Sequence, residues 1–204
     1  MDSRKYFIVT VALVAIVTGT WLSVRVLSPP PQLQTATRLP AAIDLAEFSL
    51  LDQDSKPFTR DGFRGRWNLV FFGFTHCPDI CPITLQTLAN ARLSLASDGL
   101  EDLPRIVLVS VDPERDTPEI IGQYVAHFGD DTIGLTGELS EVRKLTDGLG
   151  VYFEKSGIEA DEYSVDHSAV VIVINPDGQF RALFGAPHDS ERFVHDLPIL
   201  MSTE

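Results

Sequence analysis

The chain has two cysteines, Cys77 and Cys81, and both fall inside Thr75-His76-Cys77-Pro78-Asp79-Ile80-Cys81-Pro82. Thiolates act as nucleophiles, disulfide partners or soft metal ligands. The C-x3-C spacing is one residue longer than the C-x2-C of dithiol oxidoreductases. Two residues four apart at the start of a helix share a face, so Cys77 and Cys81 can point at one object. Two soft thiolates with open coordination select Cu(I), or less specifically zinc. The same pair fits within the ~4.4–6.8 Å Cα separation that a disulfide needs, so a redox-active pair is equally compatible with the spacing. The inert alternative is two buried thiols or a plain disulfide. If the motif opens a helix, the helix N-terminus predicts that one or both thiols are more acidic than free cysteine.

The second candidate is His167, in Val165-Asp166-His167-Ser168. A lone histidine is more often a hydrogen-bonded surface residue than a ligand, so its interest depends on where the fold places it. Asp166 can orient the ring, although a solvated carboxylate is the blander reading. His76 adjoins Cys77, but alternation along the chain predicts that it turns away from the cysteine site. His127, His188 and His195 are expected on helix or loop surface, with no partner evident.

The elements that must position these residues are legible as apolar runs. Residues 67–74 form a continuous apolar run, the mark of a strand buried on both faces, and they lead directly into the cysteines. Residues 83–96 follow as a helix. Residues 105–111 are a second buried strand, running into Asp112-Pro113-Glu114-Arg115-Asp116-Thr117-Pro118. Thr117 is an N-cap with Pro118 at the first helical position, and that helix runs to about Phe128. Residues 139–149 are another helix. Residues 169–174 are a third buried strand, turned by Asn175-Pro176-Asp177-Gly178 into a final strand over 179–184, and a terminal helix spans 190–201. A hairpin over 47–58 precedes them all. Strands alternating with helices give an α/β sandwich around a mixed sheet, and a strand handing over to a helix through cysteines is the working edge of a thioredoxin-like fold. In that topology the loop entering the third buried strand faces the cysteine turn, which brings His167 towards Cys77 and Cys81. Asp112, ending a neighbouring strand, either lies near the site or only caps the next helix.

The chain of 204 residues carries a formal charge of −13. That balance argues against nucleic acid, which calls for a basic face. The length suits about one soluble domain. Residues 6–24 contain no charged residue, and about 20 apolar residues span a bilayer core. Arg4 and Lys5 before the run favour a cytoplasmic N-terminus, against which Arg25 weighs. A cleaved signal peptide would show a shorter apolar core and a small-x-small site, which is not evident. The expected organisation is a cytoplasmic N-terminus over 1–5, a transmembrane anchor over 6–27, a Pro-rich linker over 28–42 and the soluble domain over 43–204. That domain is expected in the periplasm on a single-pass inner-membrane anchor. A mitochondrial inner-membrane setting is the alternative, without its Arg- and Ser-rich transit segment. The linker reaches about 40 Å at ~3 Å per residue.

Phe72-Gly73-Phe74-Thr75-His76-Cys77-Pro78-Asp79-Ile80-Cys81-Pro82 resembles the signature of the Sco/SenC family. Residues 109–118 resemble that family's second block, and Tyr163-Ser164-Val165-Asp166-His167-Ser168 with Asn175-Pro176-Asp177-Gly178 its third. The resemblance covers about residues 43–200. It implies a membrane-tethered, thioredoxin-like copper chaperone that assists assembly of the binuclear copper centre of cytochrome c oxidase subunit II. It implies copper ligation by Cys77, Cys81 and His167, as Cu(I) and with Cu(II) left open. An upstream copper donor and a thiol reductant follow as further partners. The strand after His167 is all aliphatic here, where an aromatic is common in the family. The reading is thus a metallochaperone rather than an enzyme. Two alternatives stand beside it: a thiol–disulfide reductase acting on that subunit or other exported proteins, and, more distantly, a peroxidase.

Overall fold

Ser3–Leu27 forms one uninterrupted helix, α1. Its span Tyr6–Ser23 is long and apolar enough to cross a membrane. Thr10, Thr18 and Thr20 donate their hydroxyls to the carbonyls of Tyr6, Val14 and Ile16. Their polar atoms are therefore satisfied within the helix, as an apolar surrounding requires. The computed structural model describes residues 3–27, 32–157 and 163–202. It divides into two units, Met1–Gln32 and Leu33–Glu204. Residues 1–2 of the expected cytoplasmic end and the proline run of the expected linker, residues 28–31, lie outside the described residues.

The second unit runs β1 (Ala36–Asp44), β2 (Leu50–Asp52), β3 (Pro57–Phe58), β4 (Asn68–Gly73), α2 (Ile80–Ser97) and β5 (Arg105–Ser110). It continues through α3 (Pro118–Val125), β6 (Thr132–Thr136), α4 (Leu139–Leu149), β7 (Phe153–Ser156), β8 (Ser164–His167), β9 (Val170–Ile174), β10 (Gln179–Gly185) and α5 (Ser190–Met201). Among the described residues, eight strands form one mixed sheet in the order β1-β10-β9-β4-β5-β6-β2-β3. β4, β5 and β6 are parallel, and the remaining pairs are antiparallel. β7 and β8 form a separate two-stranded sheet. This is the α/β architecture that the sequence predicts.

Every residue of β4 is buried. Its polar member, Asn68, donates to the carbonyls of Phe63 and Arg66, both at 2.8 Å, and accepts from Arg105. α2 packs against α5 and over β4 and β5, and α3 packs on β6. Thr117 caps α3 by accepting from the Ile120 N–H, with Pro118 following as expected. α2 starts at Ile80, three residues before the start read from the sequence, so Cys81 lies in its first turn. Pro82 is no obstacle there, because first-turn N–H groups have no intrahelical partner.

One boundary needs correction. Residues 36–42, assigned from the sequence to the linker, belong to β1, which pairs antiparallel with β10. The cause is a tertiary anchor. Asp196 of α5 accepts the backbone N–H groups of Gln34, Thr35 and Ala36, each at 2.8 Å. Burial alone would raise the Asp196 pKa, but these bonds and His195 outweigh it and hold the carboxyl down at about 2.

Candidate metal centre

The cysteine turn is built into the main sheet. A Cβ on Gly73, the last residue of β4, would lie 3.0 Å from Cys81 Sγ and 3.0 Å from the Phe71 ring. Glycine at that point is what lets the first turn of α2 close over the strand end. The next residues are held by Asp116, whose carboxylate is fully buried. Asp116 accepts from Thr75 Oγ1 at 2.5 Å, the Thr75 N–H at 3.1 Å and Ser110 Oγ at 2.6 Å. The Cys77 N–H donates to the Phe74 carbonyl, and the Cys81 N–H points at Cys77 Sγ, 3.4 Å away.

His167, the last residue of β8, comes from the other side. Its Nδ1 lies 3.3 Å from the Ser168 carbonyl, which can only accept. Nδ1 therefore carries the proton and Nε2 presents its lone pair. Nε2 is 3.5 Å from Cys81 Sγ. The ring stands edge-on to Phe71 and Phe74, with centroids at 5.7 and 6.2 Å. Cys77 Sγ, Cys81 Sγ and a His167 ring nitrogen all lie within 4.8 Å of one another. Cys77 and His167 border a cleft of about 280 Å³ together with Phe74, Pro78 and Val165. A larger cavity of about 460 Å³, bordered by Gly65, Arg66, Trp67 and Pro176, sits at the opposite ends of these strands and holds neither cysteine nor histidine.

The acidity expected from the helix end does not extend to Cys81. Burial pushes its thiol up, and the adjacent Cys77 thiol adds to the rise against a backbone bond from Phe74. Desolvation wins because the Cys81 side chain has no solvent exposure. Burial likewise pushes His167 down, against the Ser168 carbonyl and Asp166. Cys81 is thus set as a neutral thiol and His167 as a neutral imidazole, and holding a metal there requires the Cys81 proton to leave.

The other candidates fall outside this cluster. Asp112 is buried and bonded to Arg115 and to the Tyr163 hydroxyl. It does not cap α3, since Thr117 does. Asp166 is exposed and lies opposite Glu154 in the β7–β8 ladder. His76 is 55% exposed, with Nδ1 3.1 Å from Thr75 Oγ1. His127 faces solvent, with Nδ1 3.2 Å from the Tyr124 carbonyl. His127 thus has a partner that the sequence did not show, and the other two histidines also differ from expectation. His188 is half-buried rather than on the surface, and burial pushes its pKa down. His195 has a partner, Asp196 Oδ1, at 2.7 Å. Sequence reasoning missed Asp116, Arg115 and Tyr163 as supports of the site, although the first two stand in the Asp112–Thr117 string it singled out.

Residues 36–202 match the family model described as SCO1/SenC. The chain belongs to the SCO1/SenC family. This SCO1/SenC chain is 35% identical over 166 residues to a Stutzerimonas stutzeri protein named for copper binding, covering 81% of each. It is 37% identical over 169 residues to the mouse mitochondrial protein SCO2 homolog, covering 81% of this chain and 66% of the mouse protein. Its fold superimposes on the crystal structure of Arabidopsis thaliana ScoI with copper bound at a TM-score of 0.73. That match has 36% identity and covers 78% of this chain and 98% of that one. The thioredoxin-like architecture expected for the SCO1/SenC domain is the one observed.

Proposed function

We propose that this chain is a membrane-anchored copper chaperone. It holds one copper ion on Cys77 Sγ, Cys81 Sγ and His167 Nε2, and delivers it to, or prepares, the binuclear copper site of cytochrome c oxidase subunit II. The observation that carries the reading is the convergence of two thiols and one imidazole within 4.8 Å, with no carboxylate among them. Such a soft set favours Cu(I) over hard cations. Copper-bound relatives of the same fold support it. The Nδ1 bond to Ser168 orients the imidazole so that Nε2 is the donor. Cys77, 8% exposed, faces the cleft, while Cys81 lies behind it. An acceptor's thiolate therefore meets Cys77 first, and cargo passes by ligand exchange at that sulfur. The charge-free apolar span of α1 and the Arg4 and Lys5 that precede it support a single-pass anchor with the folded unit on the periplasmic side. An upstream copper donor and a thiol reductant complete the set of partners.

The deciding experiment titrates the reduced full chain in detergent with Cu(I) against a chromophoric competitor. One Cu(I) per chain is expected. Cys77→Ser/Cys81→Ser abolishes binding, and His167→Ala weakens it without unfolding the protein. Unchanged stoichiometry and affinity in the double cysteine variant would overturn the reading.

The reductase reading is favoured by one feature, the arrangement of a more exposed Cys77 in front of a fully buried Cys81. In that reaction the Cys77 thiolate attacks a partner disulfide and releases one partner thiol. Cys81 then displaces the second, leaving a Cys77–Cys81 disulfide that an upstream dithiol must reduce. Stoichiometric thiol exchange with oxidised subunit II, without copper transfer, would support it. The two readings are linked, because copper requires both thiols reduced.

A further inference from the structure

Among the described residues, the hairpin that carries His167 has no ladder bonds to the main sheet, because β7 and β8 pair only with each other. Strand pairing therefore does not fix the position of His167. At its open end the hairpin closes on itself: the Ser168 N–H donates to the Tyr152 carbonyl and the Tyr152 N–H to Ser168 Oγ. At its other end stands Tyr163, four residues before His167 and about 13 Å away along an extended strand. Tyr163 is too far to be a ligand, yet it is fastened by several contacts at once. Its hydroxyl donates to Asp112 Oδ1 at 2.6 Å. Its ring lies beneath the Arg115 guanidinium at 3.8 Å, and the Lys155 ammonium stands 4.6 Å from the same ring. Arg115 Nη1 donates to the Tyr163 carbonyl at 3.3 Å, and Arg115 Nε is hydrogen-bonded to Asp112 Oδ2. Lys155 in turn pairs with Glu114 at 2.6 Å. All these partners on the body belong to residues 112–115, the turn between β5 and α3.

We propose that Tyr163 is the positioning residue for His167: it fastens the free end of the β7–β8 hairpin to the β5–α3 turn and so sets where the imidazole meets the two thiols. The inference rests on the reading of this centre as a copper site. Two features make the fastening more than general packing. Asp112 has no solvent exposure, and a buried carboxylate must be paired to be tolerated. Removing the Tyr163 hydroxyl therefore leaves a buried acceptor short of a donor, and the hairpin end loses its hold on the turn. The contacts are also continuous to the centre. The Arg115 guanidinium lies 5.7 Å over the Phe74 ring, and Phe74 meets the His167 ring edge-on at 6.2 Å and 87°.

The test is Tyr163→Phe in the full chain, which keeps the ring and removes the hydroxyl. In the metal-free protein, amides 164–167 should exchange with solvent faster while those of β4 and β9 do not. Cu(I) affinity should fall about tenfold, the lower end of what loss of an outer-shell support costs. On a His167→Ala background the same change should alter copper affinity by no more than about twofold, because interacting residues are non-additive. A Glu114→Gln variant, on the exposed rim of the same fastening, should shift exchange and affinity in the same direction by less. The proposal is overturned if Tyr163→Phe leaves exchange at 164–167 unchanged, or if its effect on affinity is as large without His167. Should the wild-type chain bind no copper, the copper reading fails, and the exchange measurement still decides whether Tyr163 holds the hairpin.

Discussion

The cysteine turn and the histidine hairpin meet at one cleft but are secured in opposite ways. The turn continues the most buried strand of the main sheet, is fitted around Gly73, and is held by the carboxylate of Asp116, which receives two donors from Thr75 and one from Ser110. The hairpin stands outside that sheet. It is fixed through Val165 and Phe153 in the core and through a partly exposed set of charged and aromatic side chains. An arrangement with one half embedded and the other fastened from outside separates keeping the thiols in place from adjusting the imidazole.

The comparison can be broken at several points. Asp116→Ala strands buried hydroxyl and amide donors of the turn and should cost about 3 kcal/mol of stability in chemical denaturation. A loss no larger than that of an exposed carboxylate would show that the turn is not held this way. Gly73→Ala forces a methyl against a sulfur and a ring that are both buried. It should destabilise the fold by about 2 kcal/mol and weaken Cu(I) binding together. Retained copper affinity would mean that Cys81 can move, erasing the distinction between the two halves.

A buried carboxylate remote from both halves, Asp196, provides the scale for such losses. Its folded pKa of about 2 lies below the ordinary 3.8. Its contribution, about 2 kcal/mol, is thus fully present above about pH 4 and is lost as pH falls through 2. Denaturation curves of Asp196→Asn should be flatter over that interval than those of the wild type. The smallest effect belongs to the hairpin. Lys155→Ala breaks its pair with Glu114 and should change global stability by no more than about 0.5 kcal/mol, with any effect confined to exchange at the hairpin.

Much of this frame was readable from residue types. β4, β5 and β9 announce themselves because a strand buried on both faces must be apolar at every position. The start of α3 follows from Thr117-Pro118, where cap chemistry is local. β7 and β8 do not announce themselves, because Phe153-Glu154-Lys155-Ser156 and Ser164-Val165-Asp166-His167 are four-residue strands with half their side chains in solvent. β1 hides for a different reason: Pro40 falls where its register with β10 shifts, and its anchor, Asp196, is some 160 residues away. In the candidate site, the residue types of Cys77, Cys81 and His167 were legible, and topology brought them together. The direction of the Cys81 shift was not, because a helix N-terminus and complete burial push a thiol in opposite directions and only the structure shows the burial. The supporting role of Tyr163 was invisible for the same reason as that of Asp196: its partner Asp112 lies 51 residues back along the chain.

The three backbone bonds that Asp196 accepts also define a load path. Any pull arriving through residue 33 is taken up first at residues 34–36, on the last helix, and then in shear along the β1–β10 ladder. Two further strands, β10 and β9, stand between β1 and β4. Tension on the N-terminal side is therefore discharged at the sheet edge, leaving the strand that ends in the cysteines mechanically quiet.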